Sequence, residues 1–274
     1  MEFPQNVIVR GGGDLATGVV QKFFRAGFNV IILEVEEPTA IRRSVALCEA
    51  VYDGLAQVED VICRKINALD ELADCWKAGH VPLLIDPDGD SIGKIAPAAV
   101  IDVILAKRNL GTSMEMAPIT IALGPGFYAG KDVHAVVETE RGHDLGRLIL
   151  NGCAKPNTGI PGEIGGKSEE RVLRAPVEGI VSGKKNIGDI AQKHEPIITV
   201  NGRAVLAPFT GLVRGIIRDG MSVPKGMKIA DIDPRTDIDT KTISDKARNL
   251  GGAALEAFFY LRSGSSNHEI YRKQ

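Results

Sequence analysis

Along the first half of the chain, short aliphatic runs alternate with stretches whose apolar residues recur at helical spacing. Val7-Ile8-Val9-Arg10 predicts a strand and meets Gly11-Gly12-Gly13 at once. Asp14 to Ala26 then predicts a helix, with apolar pairs Val19/Val20 and Phe23/Phe24, and Gly27 stands where that helix should end. Val30-Ile31-Ile32-Leu33 predicts a second buried strand closing on Glu34. Leu69 to Ala78 reads as a helix ended by Gly79, and Val81 to Ile85 as a strand running into Asp86-Pro87-Asp88-Gly89-Asp90. Ala98 to Lys107 reads as an apolar helix, and Pro118 to Leu123 as a strand before Gly124-Pro125-Gly126-Phe127. Strands alternating with helices predict an α/β fold class with a parallel sheet, over residues 1–168.

The pattern changes over residues 169–236. Residues 171–200 align without a gap with 203–232. Arg171, Ala175, Pro176, Gly179, Val181, Gly183, Gly188, Lys193 and Ile197 recur as Arg203, Ala207, Pro208, Gly211, Val213, Gly215, Gly220, Lys225 and Ile229. Such a repeat marks a duplicated structural unit. Each copy reads Ala-Pro-x-x-Gly-x-Val and resembles the half-motif of biotinyl/lipoyl domains, which implies a small all-β barrel (a barrel-sandwich hybrid). In carrier domains of that type the modified lysine sits on the hairpin between the halves. Here the hairpin is Val200-Asn201-Gly202-Arg203-Ala204. Asn-Gly favours a tight hairpin, but no lysine is present, and a guanidinium cannot take its place as an amide-forming nucleophile. The unit is expected to be structural or a docking surface. In the last segment, 237–274, Ser244 can cap a helix from Asp245 to Leu261, and Gly251-Gly252 within it predicts a close approach to another element. That helix packs either on the barrel or back on the first domain.

Gly11, Gly13 and Ala16 spell G-x-G-x-x-A, with Gly12 between, and the acidic Glu34 follows at the end of the second strand. Glycine at the turn, unpaired amides at a helix start and an acceptor for a ribose together describe a Rossmann-like phosphate loop. Asp14 would repel a phosphate there, and its alternative role is to cap the helix. Ligands gather at the carboxyl ends of strands in such sheets. The loops at Gly11–Ala16, Asp86–Asp90 and Gly124–Gly130, with Gly124 and Gly126 as backbone contacts, are therefore candidates. Asp86, Asp88 and Asp90 lack the glycine and glutamate spacing of a calcium loop, and a Pro-Asp-Gly turn explains them. No metal site is expected from them.

The densest polar chemistry lies between Lys131 and Arg147, with two of the five histidines. Val133 to Thr139 predicts a strand with His134, Val136 and Glu138 on one face. Three readings are open: a metal or catalytic cluster of His134, Glu138 and His143; an anion site of Arg141, His143 and Arg147; or an edge strand with solvated charges. Asn157 to Gly166 is either a linker or a loop folded over the ligand site.

Composition narrows the class. The 274 residues include 33 basic and 35 acidic side chains, a formal charge of −2, and no basic block, so a nucleic-acid partner is not expected. No apolar run reaches the roughly 18 residues of a spanning helix. Met1-Glu2-Phe3-Pro4 does not read as a signal peptide. Cys48, Cys63, Cys75 and Cys153 match no zinc spacing and read as reduced structural thiols. A cytoplasmic protein is expected.

Five segments together carry a wider resemblance: 7–18, 132–139, 141–147, 157–166 and 243–248. They resemble the selenium-dependent molybdenum hydroxylase system proteins of the YqeB type, over nearly the whole chain. The resemblance implies an accessory role in maturing a selenium-containing molybdenum hydroxylase, that hydroxylase as partner, and a Rossmann-like domain. It implies no catalytic residues. Three functions follow as expectations. The first is an accessory factor binding a nucleotide-bearing ligand, either a dinucleotide or the molybdenum cofactor. The second is an NAD-dependent oxidoreductase with Glu34 on the ribose. The third is a non-catalytic scaffold docking the hydroxylase through the lysine-free barrel. A homo-oligomer is compatible with each.

Overall fold

The computed structural model describes residues 5–264. Met1–Pro4, where the signal-peptide expectation falls, and residues 265–274 of the C-terminal segment lie outside the described residues.

A nine-stranded sheet forms the first unit. In chain order its elements are β1 (Asn6–Arg10), α1 (Asp14–Arg25), β2 (Asn29–Glu34), α2 (Ala50–Asp53), β3 (Leu55–Val58), β4 (Val61–Ile66), α3 (Leu72–Lys77), β5 (Val81–Ile85), α4 (Ile92–Ile95), β6 (Ala99–Asp102), β7 (Ile119–Leu123), β8 (Ala135–Val137) and β9 (Leu148–Ile149). The strand order is β3-β4-β5-β2-β1-β6-β7-β8-β9, parallel except for the pairings of edge strands β3 and β9. From β1 the chain winds outward through β6, β7 and β8 on one side, while on the other it passes from β2 to the edge pair β3 and β4 and returns inward to β5. A crevice therefore opens between the carboxyl ends of β1 and β6, the place where such sheets bind ligands.

Both sheet faces are covered, as parallel strands require. Val7, Val9, Val30, Ile32 and Ile101 pack under α1, while Ile8, Ile31, Leu33 and Val100 pack under α3 and α4. The stretch expected as a helix from Ala98 to Lys107 is instead β6 followed by irregular chain. Its four residues are buried on both faces, and such a run carries no period to separate strand from helix. The helix covering β7 and β8 comes from far along the chain. α5 (Asp245–Arg262) packs there and against α1, and Ala247, Leu250, Ala254 and Phe258 join the same core as Val7 and Val19. The C-terminal helix thus completes the first unit rather than standing apart.

The contact of α1 with α5 is unusually close. A Cβ at Gly18 would lie 2.2 Å from the Ala247 carbonyl oxygen, and one at Gly251 would lie 2.3 Å from that of Gly18. Further along, Phe23 meets Phe258 edge-on at 5.8 Å. The helices therefore run in the same direction, with both N-termini at the carboxyl ends of the central parallel strands. Ser244 Oγ accepts from the Ala247 amide and caps α5, as expected.

The second unit has its own core, including Val181, Ile198, Val213 and Ile229. Strands β10 (Val172–Arg174), β11 (Gly179–Gly183), β12 (Ile190–Ala191), β13 (Pro196–Val200), β14 (Arg203–Leu206), β15 (Gly211–Ile216), β16 (Ser222–Val223) and β17 (Lys228–Asp233) build two antiparallel sheets. Their orders are β10-β17-β15-β12 and β14-β13-β11-β16. The sequence repeat maps β10–β13 onto β14–β17, so each sheet takes two strands from each half and the halves interlock. Asn201 (φ +46°) and Gly202 (φ +77°) make the hairpin between them. Among the described residues no helix is long and apolar enough to cross a membrane.

If the α1–α5 crossing depends on bare backbone, Gly18→Ala should cost about 1–3 kcal/mol or more by overpacking. Gly252→Ala, on the open side of α5, should gain roughly 0.5–1 kcal/mol. Urea unfolding of the two variants checks the contrast.

Candidate functional site

The glycine loop is shaped as its sequence implies but is partly filled. Gly11 has φ +93°, and a Cβ there would sit 3.1 Å from the Val103 carbonyl oxygen, so the turn and the close approach to the β6 exit both need glycine. Gly12 is covered. Its carbonyl accepts from the Cys48 amide at 2.8 Å, and its amide donates to Glu34 Oε2 at 2.6 Å. The other Glu34 oxygen accepts from the Val35 amide at 2.9 Å. Burial pushes the Glu34 carboxyl up, against the pull of those two amides. Glu34 is thus turned toward the loop, with one acceptor position on each oxygen taken by a backbone amide.

Asp14 is corrected. Gly13, not Asp14, is the N-cap residue, and no side chain caps α1. The Asp14 carboxylate instead meets Arg42 Nη1 at 3.1 Å. Ala16 is buried against the core. Gly13 differs from its neighbours, because a Cβ there would meet nothing of the chain within 4 Å.

A cleft of about 650 Å³ opens beside this loop, within the ~300–1,000 Å³ range of small-molecule sites. Its floor is the first turn of α1 (Asp14, Leu15) with chain leaving β6, β7 and β8 (Leu105, Pro125, Glu138–Arg141). Its far wall is the β10-β17-β15 sheet, through Arg171, Arg214, Lys228 and Asp231. Ser244 and Lys246, at the start of α5, also reach it. Residues Asn157–Gly162 with Ile164 fold over it, so the glycine-rich segment is both linker and cover.

Charge is the cleft's main feature. Eight basic residues line it (Arg42, Lys107, Arg141, Lys155, Arg171, Arg214, Lys228, Lys246) against four acidic ones (Asp14, Glu138, Glu140, Asp231). Several pairs are internally balanced. Lys155 Nζ lies 2.8 Å from Asp144 and 3.3 Å from Glu140, and Arg141 holds Asp245 at 3.0 and 3.1 Å. Lys246 has no ion pair among the described residues. Burial pushes its ammonium down, and Arg141 pushes it further. Burial also lowers Lys228 and Arg214. A cation in the first turn of a helix opposes the helix dipole. The N-termini of both α1 and α5 face the same space, so their dipoles add to the positive field.

The other expected residues divide. Glu138 is buried and organises the floor: one oxygen accepts from the Thr139 and Glu140 amides at 2.7 and 2.8 Å, the other from the Lys155 amide at 2.8 Å. Gly124 and Gly126 (φ +81° and +111°) shape the turn that brings Pro125 to the cleft, and a Cβ on them would collide with Thr139 and Arg108 respectively. His134 lies at the amino end of β8, its Nδ1 engaged by the Thr120 amide at 3.0 Å and the Thr120 hydroxyl at 2.8 Å. It cannot join Glu138 on the opposite end of that strand. His143 and Arg147 sit on an exposed turn with Asp144, away from the cleft lining. Neither the His134–Glu138–His143 cluster nor the Arg141–His143–Arg147 anion set assembles, and of the latter only Arg141 reaches the cleft. Among the described residues no group of His, Cys, Asp and Glu is arranged to hold a metal. Asp86 accepts from the Gly89, Asp90 and Ser91 amides and the Ser91 hydroxyl, which makes it the keystone of a turn.

The sequence reading missed Arg42, Lys107, Lys155, Arg171, Arg214, Lys228 and Lys246. They come from seven separate places in the chain. The one sequence signal was asymmetry in the repeat, where Arg214 and Lys228 align with Ser182 and Pro196.

No protein-family model matches the sequence. The chain is 48% identical over 258 residues to the uncharacterized protein YqeB of Escherichia coli (strain K12), which covers 94% of the chain and 48% of that protein. The chain is YqeB-like. It spans about half the length of that curated relative. An aspartoacylase family protein of Mesorhizobium loti superposes over 84% of this YqeB-like chain and 85% of its own, at 11% identity and a TM-score of 0.25. That superposition is too loose to bear on fold or function.

Two measurements check this geometry. Gly13→Ala, at the N-cap of α1, should cost about 0.5–1 kcal/mol, whereas Gly11→Ala should cost more because of its positive φ and its close approach to the β6 exit. The Asp245 carboxyl, held at about 2 by the Arg141 guanidinium, should titrate there by carbon-detected NMR and return toward 3.8 in Arg141→Ala. Its folded pKa is depressed, so the pair contributes stability above about pH 3.8 that is lost as pH falls through 2. The side chain is 75% exposed, which holds that contribution to well under ~1 kcal/mol.

Proposed function

We propose that this YqeB-like chain is an accessory factor in the maturation of a selenium-dependent molybdenum hydroxylase, and that its cleft holds a phosphate-bearing, nucleotide-type ligand such as the molybdenum cofactor as cargo. The observation that carries the ligand half of this reading is the excess of Lys and Arg at the carboxyl ends of β1, β6, β7 and β8, where two helix N-termini converge. The resemblance of the five sequence segments carries the maturation half, with the hydroxylase as partner and the cytoplasm as the expected location.

The fold is read more finely on the same footing. The run β5-β2-β1-β6-β7-β8 supports a Rossmann-like, doubly wound first unit. The interlocked halves of the second unit support a biotinyl/lipoyl-type barrel whose inter-half hairpin lacks the carrier lysine. The barrel then serves as a wall of the cleft and not as a swinging arm.

The conventional NAD-dependent oxidoreductase reading needs Glu34 to accept from a ribose while it also holds the Gly12 and Val35 amides. A residue strap also occupies the outer side of the loop. Leu47 donates its amide to Thr17 Oγ1 at 3.1 Å, next to the Cys48–Gly12 bond. A dinucleotide laid over Gly12 in the usual way would have to displace both.

Isothermal titration of the whole chain with molybdopterin dinucleotides, mononucleotides, NAD and NADP tests the reading. Binding of the pterin dinucleotide, weakened by added salt and by Arg42→Ala, is expected, with NAD weak or silent. Silence toward every phosphate-bearing compound would remove the ligand claim.

A further inference from the structure

The two halves of the β unit are copies in sequence and strand order, yet they differ where one sheet faces the cleft. In the first half, β11 and β13 pair without interruption: Val181 with Val200, Ser182 with Thr199, Gly183 with Ile198. In the second half, Val213 pairs with Ile232, but Gly215 pairs with Asp231, and Arg214 is left over as a bulge. Bulges re-aim a side chain, and they concentrate beside functional sites. The residue re-aimed here lines the cleft. Its counterpart in the first half is Ser182, and the counterpart of Lys228 is Pro196. At these two positions the pseudosymmetry is broken by cations that line the cleft.

These cations are not balanced by the protein. Arg171 and Arg214 are 6% and 7% exposed, and the Nε of each finds no acceptor among the described residues. Arg171 shares Asp231 with Lys228, which lies 3.8 Å from that carboxylate. Arg214 approaches Asp233 only at 3.4 Å, and Asp233 already receives two bonds from the Arg235 guanidinium at 2.8 and 2.9 Å. Four cations thus share two carboxylates. A buried excess of positive charge is costly unless an anion joins it. Guanidinium forks suit phosphate oxygens in particular.

We infer that the cleft-facing sheet of the β unit is itself a phosphoryl-binding surface, with Arg171, Arg214 and Lys228 gripping a phosphate or diphosphate group. This rests on the reading of the cleft as a ligand site and adds where its anion is held: on the barrel wall, not on the glycine loop. Inorganic pyrophosphate should suffice as a ligand, because the grip is on the phosphoryl oxygens and not on a base or pterin.

The test uses the full chain, titrated calorimetrically with inorganic pyrophosphate and with a pterin dinucleotide at fixed ionic strength. The wild type should bind pyrophosphate. Arg214→Ser, which installs the residue of the symmetric position, and Lys228→Gln should each weaken that binding roughly 10- to 100-fold. Ser182→Arg and Arg203→Ser, on the other sheet, should leave it unchanged. Lys228→Gln, at a half-buried position, keeps the test decisive where circular dichroism shows that Arg214→Ser has not folded. Pyrophosphate binding that survives both cleft substitutions would place the anion on the α/β floor and overturn the inference. So would a wild type that binds the pterin dinucleotide but not pyrophosphate, which leaves the proposed function standing. A wild type silent to both ligands sinks the two together.

Discussion

Two glycines facing each other hold the cleft end of this molecule in place. Gly18 and Gly251 let α1 and α5 touch backbone to backbone, closer than any side chain would allow. Because the helices run in the same direction, the contact sets two positive helix ends side by side. Parallel dipoles at such short range repel, and packing must hold them: Phe23, Phe28, Phe258 and Phe259 form an aromatic cluster behind the crossing. The same contact returns the chain to the first unit after the β unit has been built. The cleft therefore has a floor, a wall and a helix start drawn from three separated parts of the sequence.

The segment from Ile41 to Asp53 fixes the wall against the floor. The Ile216 amide donates to the Ile41 carbonyl at 2.8 Å, and Arg43 Nε donates to the Ile216 carbonyl at 2.8 Å. A Cβ at Gly215 would lie 2.9 Å from the Ile41 oxygen, so this glycine of the repeat serves the docking of the two units. Arg218 adds bonds of 2.7 Å to Glu49 and to Asp53 and stacks over Tyr52 at 4.4 Å. The same segment closes over Gly12 through Cys48. One strap thus does two things. It clasps the β unit and covers part of the glycine loop, which moves the open, positively charged space from the loop to the cleft.

Charge and burial divide the cleft into an outer and an inner zone. Its outer cations are matched by carboxylates on the same floor, as with Lys155 between Glu140 and Asp144. Its inner cations are held under-compensated among rigid strands. Burial lowers Lys228, Lys246 and Arg214, which means that the fold tolerates these charges at a cost. An anion that restores them gains what the protein alone does not supply.

Local order was legible in the residues. The β1–α1–β2 start, the turn at Asp86, the Ser244 cap and the duplicated β unit follow from periodicity, turn chemistry and internal repetition, which act over a few residues or between copies of one motif. Gly251 was read as a point of close approach, but its partner Gly18 was not, because a helix glycine does not name what it touches. The apolar run at Ala99–Asp102 looked like a helix, since burial on both faces erases the period that tells strand from helix. The site was the least legible part. His134 carried suitable chemistry in a suitable place along the chain, and the fold gave it a structural partner in Thr120. The cations that line the cleft are ordinary charged residues taken one by one. Their meaning arises only when the large sheet, the wall of the β unit and the C-terminal helix bring them within one another's field, because electrostatic work depends on distance in space and not on separation in sequence.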